Sequence, residues 1–269
     1  MLGKMTSVSV AGAFMLALFG GGAWYVFQNR ENSPAVSFVA ATNQKDAVAL
    51  RRLFNAALAD HTDIAVLQLW LNAVQDALGT TSIADPKSIE AAQSTVEGSA
   101  RQVVFTPLKG AKQDASLELE IVDGGINRFE ILSDQIAVDW FEKLEKTDLY
   151  QKEAESFLIA LLGNKPDLAY GLLHADAREV LSIDEMRQMA LMLNEQAGAM
   201  QGKPVFRGFR FETFPSLVGI NSDEGERRLR LVYDVECERG AKTRAALDFK
   251  LEGFRFFLIA FDLTGNTDL

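Results

Sequence analysis

Apolar residues recur at spacings of three and four along two stretches of the chain, and this spacing predicts two long amphipathic helices. The apolar positions of the first stretch recur 119 positions later in the second; they are Ile64, Leu67, Leu71, Val74 and Leu78, then Ile183, Met186, Ala190, Leu193 and Ala197. Another helical pattern repeats at the same offset, beginning at Ser37-Phe38 and again at Ser156-Phe157. The sequence therefore predicts a duplicated fold.

Shorter helical patterns surround the two long ones. In the first copy they predict helices over residues 35–41 and 47–58, and then the long helix, capped by Thr62 and ended by Gly79. Residues 80–99 are ambiguous, with a helical pattern at 87–96. In the second copy they predict a helix that opens near residue 151 and a short helix over 168–173. A capping box, Ser182-Ile183-Asp184-Glu185, begins the second long helix.

Alternating apolar residues follow the helices in both copies and predict antiparallel strands. The predicted strands lie around residues 103–105, 117–121, 129–131 and 136–140, and then 205–214, 229–237, 245–251 and 254–263. The last of these is apolar on both faces, so we expect it to be central in its sheet or covered on both sides.

Helices followed by antiparallel strands indicate the α+β class. We expect two tandem domains, at residues 35–145 and 146–265, followed by a short tail at 266–269. The order of one helix, a short helix, a long helix and then three or four strands resembles the nuclear transport factor 2 superfamily, which includes ketosteroid isomerase and SnoaL-like proteins. This resemblance covers about residues 34–265. It implies two cone-like domains, each a helix hairpin packed on a curved sheet, with ligand sites at the mouth between helix and sheet.

Residues 6–27 carry no charge and are long enough to cross a membrane as one helix. Lys4 precedes this segment, while Arg30 after it is offset by Glu31, so we expect residues 1–5 in the cytoplasm. A polar linker at 28–34 then leads to domains outside the cytoplasm, in the periplasm of a Gram-negative cell. The alternative is a signal peptide cleaved after small residues such as Gly21 and Ala23.

One membrane helix followed by a cone resembles the bitopic periplasmic subunit of type IV secretion systems and the Mce-associated membrane proteins. In those families the cone serves assembly, whereas this chain is expected to carry two cones. The expected anchor, the duplication and the lack of a catalytic signature, together with this resemblance, favour a membrane-anchored, non-catalytic scaffold or protein-interaction subunit, which acts with a protein partner or as a homo-oligomer.

Charge and composition narrow the possible partners. The net charge is −10 and both halves are acidic, which disfavours nucleic acid as a partner. The only cysteine is Cys237, so an intrachain disulfide and a Cys-rich zinc site are excluded. The two histidines, His61 and His174, fall in different expected domains, and we therefore expect no metal site. The sequence has no P-loop and no dinucleotide fingerprint, and we expect no cofactor.

The second copy holds the candidate binding residues, because its strands are the more aromatic and would line a cavity. The candidates are Tyr170, His174, Arg207, Tyr233 and Cys237. Arg207 could bind a carboxylate or a phosphate, unless a bulge at Gly208 turns it to solvent. His174 could instead be a helix-end residue that follows the helix at 168–173, and Cys237 a small buried hydrophobe.

An alternative function is therefore the binding of a small apolar or acidic ligand in the second cone. An isomerase- or hydratase-like enzyme is a further alternative. It requires a carboxylate that faces a proton donor inside the pocket, and the alternation of the strands shows no such pair.

Overall fold

The computed structural model describes residues 33–85, 90–96, 99–214, 226–239 and 242–265. The expected membrane segment at 6–27 and the tail at 266–269 lie outside these residues. None of the described helices is long and apolar enough to cross a membrane. The chain divides into two compact units: unit 1 comprises Met1–Asp60 and Gln68–Trp140, and unit 2 comprises His61–Leu67 and Phe141–Leu269.

Among the described residues, four helices precede the first sheet: α1 (Pro34–Gln44), α2 (Ala47–Arg51), α3 (Ala56–Asp60) and α4 (Ile64–Leu78), whose first turn belongs to unit 2. The expected single helix at 47–58 is wrong, because the chain turns after α2 to pair Phe54 with Ile126. The cap of α4 also differs by one residue from the expected Thr62, since the Asp63 carboxylate accepts the Ala65 N–H at 2.9 Å.

Unit 1 contains an antiparallel sheet of five strands, β1 (Thr81–Ile83), β2 (Glu90–Val96), β3 (Ser99–Gly110), β4 (Ala115–Val122) and β5 (Gly125–Leu132). β1 and β2 share one edge of β3, while β4 and then β5 follow on the other. Pairing with β3 makes Glu90–Val96 a strand, so the helical expectation for 87–96 is wrong there. The expected strand at 136–140 is also wrong, because that segment leaves the sheet and Val138 is 90% exposed.

After His61–Leu67, unit 2 continues with a short 3-10 helix, Trp140–Lys143, whose first residue belongs to unit 1. Its α-helices are α5 (Asp148–Leu162), α6 (Pro166–Gly171), α7 (Ala175–Val180) and α8 (Ile183–Ala197). The capping box at the start of α8 is confirmed, with Ser182 Oγ accepting the Glu185 N–H and Glu185 accepting the Ser182 N–H. The short helix α7 was not expected from the sequence.

The sheet of unit 2 has four antiparallel strands in sequence order, β6 (Met200–Phe214), β7 (Glu226–Cys237), β8 (Lys242–Glu252) and β9 (Arg255–Gly265). Of the two alternatives expected for the last strand, the central position is wrong, since β9 pairs with β8 and forms one edge of the sheet as described. The other alternative, cover on both faces, is seen at Phe257, against which the His61 and His174 rings lie. Phe256 and Leu258 are buried on its inner face, which packs towards α5.

The two units repeat one order of elements, and the helices keep the offset of 119 seen in the sequence. α2 and α6 begin at positions 47 and 166, α3 and α7 at 56 and 175, and α4 and α8 span 64–78 and 183–197. Lys45 and Asn164, again 119 apart, are both left-handed, with φ of 53° and 54°. The α+β class is thereby confirmed, and in both units helices precede an antiparallel sheet, which has five described strands in unit 1 and four in unit 2.

Candidate functional site

A groove of about 960 Å³ lies in unit 2 between α7, α8 and β9, and is named the β9 groove. Ala177, Met189 and Leu193 form its helical wall, while Phe261 and Leu263 contribute from the strand. Its charged side chains are Asp176, Glu226, Arg228, Lys250 and Asp262. The groove thus combines an apolar interior with a charged margin.

The packing of the long helix explains why unit 2 has this groove. In unit 1 the Trp70 ring is buried against Phe38 and Phe129, with ring centroids 6.4 and 5.2 Å away. The position 119 residues after Trp70 is Met189, which is half-buried in the groove wall. On α8, Met189 therefore occupies the position at which α4 carries Trp70, and its side chain is smaller and more flexible than a tryptophan.

The rest of α8 follows the same trend. Only Met186 and Ala190 of this helix are buried, whereas Leu71, Val74 and Leu78 of α4 are fully buried. Apolar side chains of α8 therefore remain accessible beside the groove, and such surfaces are typical of binding sites.

Ion pairs organise the charged margin of the groove. Lys250 Nζ lies 3.2 Å from Asp176 Oδ2 and 3.4 Å from Glu226 Oε1, and Arg228 Nη2 lies 2.6 Å from Glu226 Oε2. The hydrogen bond to Asp176 is the main cause that raises the pKa of Lys250. Asp262 is exposed and forms no ion pair with any other described residue.

A buried ion pair fixes the same face of the sheet. Arg230 on β7 and Asp248 on β8 are direct cross-strand partners, joined by two hydrogen bonds of 2.6 and 2.8 Å. Asp248 is only 4% exposed, and its carboxylate is the main cause that raises the pKa of Arg230. The strands that carry Arg228 and Lys250 are thus held in one register beside the groove.

Two of the residues predicted for binding, Tyr233 and Cys237, share the buried inner face of β7 as expected. The Tyr233 hydroxyl donates to the Gln151 carbonyl at 3.3 Å, and burial raises the pKa of both side chains. Neither residue lines the β9 groove.

Arg207 lies on an irregular part of β6, where the register with β7 shifts between Phe206 and Gly208. The bulge considered from the sequence is therefore confirmed, and the Arg207 side chain is 55% exposed. It donates to Asp234 at 2.6 Å. Although partial burial opposes the effect, Arg207 holds the pKa of Asp234 below its usual range. Arg207 borders a separate shallow cavity of about 470 Å³.

His174 begins α7 rather than ending the preceding helix, because its Nδ1 accepts the Asp176 N–H at 3.4 Å. Its Nε2 lies 2.9 Å from Glu252 Oε2. The remaining predicted residue, Tyr170 on α6, donates to the Arg178 carbonyl at 3.3 Å. Neither His174 nor Tyr170 lines the β9 groove.

His61 was expected in the first domain, but it belongs to unit 2. Its ring lies 5.0 Å from the Phe257 ring, and the His174 ring lies 5.2 Å from the same ring. Both histidines thus cover the outer face of β9. No group of three or more His, Cys, Asp or Glu side chains suited to a metal ion occurs among the described residues.

The groove lining contains carboxylates, but neither a tyrosine nor a histidine is among its described residues. No carboxylate therefore faces a tyrosine or a histidine among the described lining residues. Sequence reasoning missed the lining residues of α7 and α8. The signal that could have found them is the exchange of Trp70 for Met189 at the 119-residue offset.

The chain was also compared with known proteins. No protein-family model, no curated protein and no solved structure matches it.

Proposed function

We propose that this chain is a membrane-anchored scaffold or protein-interaction subunit, and that the β9 groove is its binding face. One observation carries the proposal: of two units with the same order of elements, unit 2 leaves its long helix partly unburied beside an apolar groove. A protein that duplicates a fold and then opens one copy gains a site without losing the packing of the other.

The dimensions and chemistry of the groove support binding. Its volume of about 960 Å³ falls at the upper end of the range typical of ligand sites. Met189 and Leu193 are four residues apart on α8, about one helical turn, so both side chains face the groove. Methionine adapts to varied partners because its side chain is unbranched and polarizable.

The membrane anchor and the extracytoplasmic location are part of the proposal and rest on the sequence of residues 6–27. We further propose that each unit is a cone of the nuclear transport factor 2 type. The order of helices before an antiparallel sheet, present in both units, supports this assignment.

The test is co-purification of the full chain in mild detergent. The variant Met189→Trp fills the groove, and Gln188→Trp adds the same ring at an exposed position of α8 that does not line it. We expect wild type and Gln188→Trp to retain a partner or form a homo-oligomer that Met189→Trp loses. A strictly monomeric wild-type protein without a partner, or a Met189→Trp variant that keeps its partner, would contradict the proposal.

The groove volume also favours a second candidate function, the binding of a small apolar or acidic molecule. The apolar interior suits an aliphatic body, and an acidic head group would compete with Asp176 and Glu226 for the Lys250 ammonium at the margin. Mass spectrometry of organic extracts from purified protein distinguishes this function. It requires a stoichiometric small molecule in the wild type that is absent from Met189→Trp.

A further inference from the structure

We propose that the occupant of the β9 groove is an extended peptide strand of another protein, which pairs with the outer edge of β9. The strand carries apolar side chains that alternate with basic ones. This inference rests on the proposed function, since it names the chemistry of the partner that the groove binds.

The first half of β9 already has partners along its outer edge. Just before the strand, Phe254 exchanges backbone hydrogen bonds with the 61–63 segment: its N–H donates to His61 and its carbonyl accepts from Asp63. The Leu258 carbonyl then accepts the His174 N–H at 2.8 Å. The outer edge is therefore occupied as far as Leu258.

The register shows which backbone groups follow. The Leu258 carbonyl bonds to His174 and therefore points away from β8, so Leu258 and its β8 partner Phe249 form a pair that is not hydrogen-bonded. In such a pair both residues point away from each other, and Phe249 therefore directs its N–H and carbonyl to β7. Alternation along β8 makes Leu247 and Ala245 do the same. Their partners on β9 are Phe261 and Leu263, because one extra residue, Ile259, lies between the Leu258 and Ala260 pairings.

Phe261 and Leu263 therefore direct their N–H and carbonyl groups to the outer edge. Within the described ranges, no backbone group pairs with them on that side. Both residues line the β9 groove, so the unpaired edge opens into it. Unpaired strand edges of this kind bind extended peptides by strand addition.

One side of the groove is apolar and the other is charged, and the two faces of an added strand can match them. The Phe261 and Leu263 side chains share the inner face with buried Leu247, and Met189 and Leu193 lie opposite them across the groove. Asp262 points to the other face, where the ion pairs lie. Side chains of an added strand alternate between the same two faces, so every second residue is apolar and the others are polar.

The charges that line the groove indicate whether the polar residues of the added strand are basic or acidic. Asp176 and Glu226 are paired with Lys250 and Arg228, whereas Asp262 forms no ion pair among the described residues and is attracted only at longer range by Arg230, whose pKa is raised mainly by Asp248 and to a smaller extent by Asp262. A lysine or arginine on the added strand complements it. A second copy of β9, paired antiparallel around this position, would bring two Asp262 carboxylates together, and like charges across strands are unfavourable.

Fluorescence anisotropy with the full chain tests the inference. The probe is a labelled seven-residue peptide of alternating valine and lysine, and the control replaces each lysine by glutamate. We expect the lysine peptide to bind at least about fivefold more tightly than the glutamate peptide. Asp262→Lys should reduce or reverse this preference, whereas an unchanged preference would overturn the role of Asp262.

Two N-methylated versions of the lysine peptide test backbone pairing. One is methylated on every valine nitrogen and the other on every lysine nitrogen, so only one of them blocks the edge that faces β9. An antiparallel peptide loses binding on valine methylation and a parallel one on lysine methylation, by at least about tenfold for two lost hydrogen bonds. Equal binding by all three peptides, or an equal loss by both methylated ones, would overturn the strand-pairing inference.

Met189→Trp separates this inference from the proposed function. Loss of a co-purifying partner in Met189→Trp, without any peptide binding to the wild type, leaves the proposed function standing and refutes the strand occupant. Peptide binding that Met189→Trp leaves unchanged refutes the location of the strand in the groove. Peptide binding that this variant abolishes, and Gln188→Trp retains, supports the inference.

Discussion

Exchanging the residues at positions 70 and 189 tests whether one side chain decides that unit 2 has a groove beside its long helix. Trp70 is 8% exposed and contacts the rings of Phe38 and Phe129. Each aromatic contact contributes about 0.5–1.5 kcal/mol beyond the burial of its area. Trp70→Met removes two such contacts and leaves a partial void, so we expect unit 1 to lose about 2–3 kcal/mol of unfolding free energy.

The reverse change, Met189→Trp, should stabilise unit 2 by about 0.5–1.5 kcal/mol through a new contact with Phe261 across the groove. Urea unfolding followed by far-ultraviolet circular dichroism measures both changes, because this signal does not depend on the tryptophan itself. Gln188→Trp, exposed on the same helix, serves as the control and should be nearly neutral. A neutral Trp70→Met, or a Met189→Trp that destabilises by more than about 1 kcal/mol, would refute the reasoning.

Three further predictions concern unit 2. Ser182→Ala removes the capping box of α8 and should cost about 1 kcal/mol in urea unfolding, whereas Ser182→Gly should cost less. Asp248→Ala leaves the half-buried Arg230 with Glu212 as its remaining carboxylate and should cost about 3 kcal/mol; a loss below about 1 kcal/mol would show that the pair is solvated. Tyr150→Phe removes the 2.7 Å hydrogen bond to Asp63 and should cost about 1–2 kcal/mol at neutral pH. The pKa of Tyr150 is raised in the folded protein, mainly by burial. As the pH rises, Tyr150 therefore ionises in the unfolded chain before it does so in the folded one, and this favours unfolding. The stability that the neutral Tyr150 side chain contributes is thus fully present below about pH 10 and is lost above it. Unfolding at pH 8 and pH 11 should therefore show a smaller loss of stability in Tyr150→Phe than in the wild type, and equal losses would contradict the assignment.

The long helices were predictable because periodicity and caps are local signals. The spacing of apolar residues predicted the positions of α4 and α8, and the Ser182–Glu185 capping box predicted the start of α8. The short helix α7 was missed because a helix of six residues has too few turns to show a period. Its N-cap, His174, is also an uncommon capping residue.

Strand pairing depends on neighbours that the local sequence does not specify. Glu90–Val96 is a strand because β3 supplies a partner, although its residues also fit a helix. Residues 136–140 alternate as a strand would, yet no described strand pairs with them. The edge position of β9 was missed for the same reason, since an apolar strand normally lies inside a sheet.

The candidate site was predictable only in its location in the second copy. The residues predicted for it, such as Tyr233 and Arg207, were chosen by strand alternation, which shows the face of a side chain and not the space beside it. The groove depends instead on the volume of the side chains between α8 and the sheet, where Met189 stands at the position equivalent to the buried Trp70.

Amide hydrogen exchange at single-residue resolution tests the open edge of β9 most directly, with and without the valine–lysine peptide. In the free protein the N–H groups of Phe261 and Leu263 should exchange quickly, whereas that of Asp262, which faces β8, should be protected. Adding the peptide should slow exchange at Phe261 and Leu263 at least about tenfold. Protection of these two amides in the free protein, or exchange that the bound peptide leaves unchanged, would contradict the account.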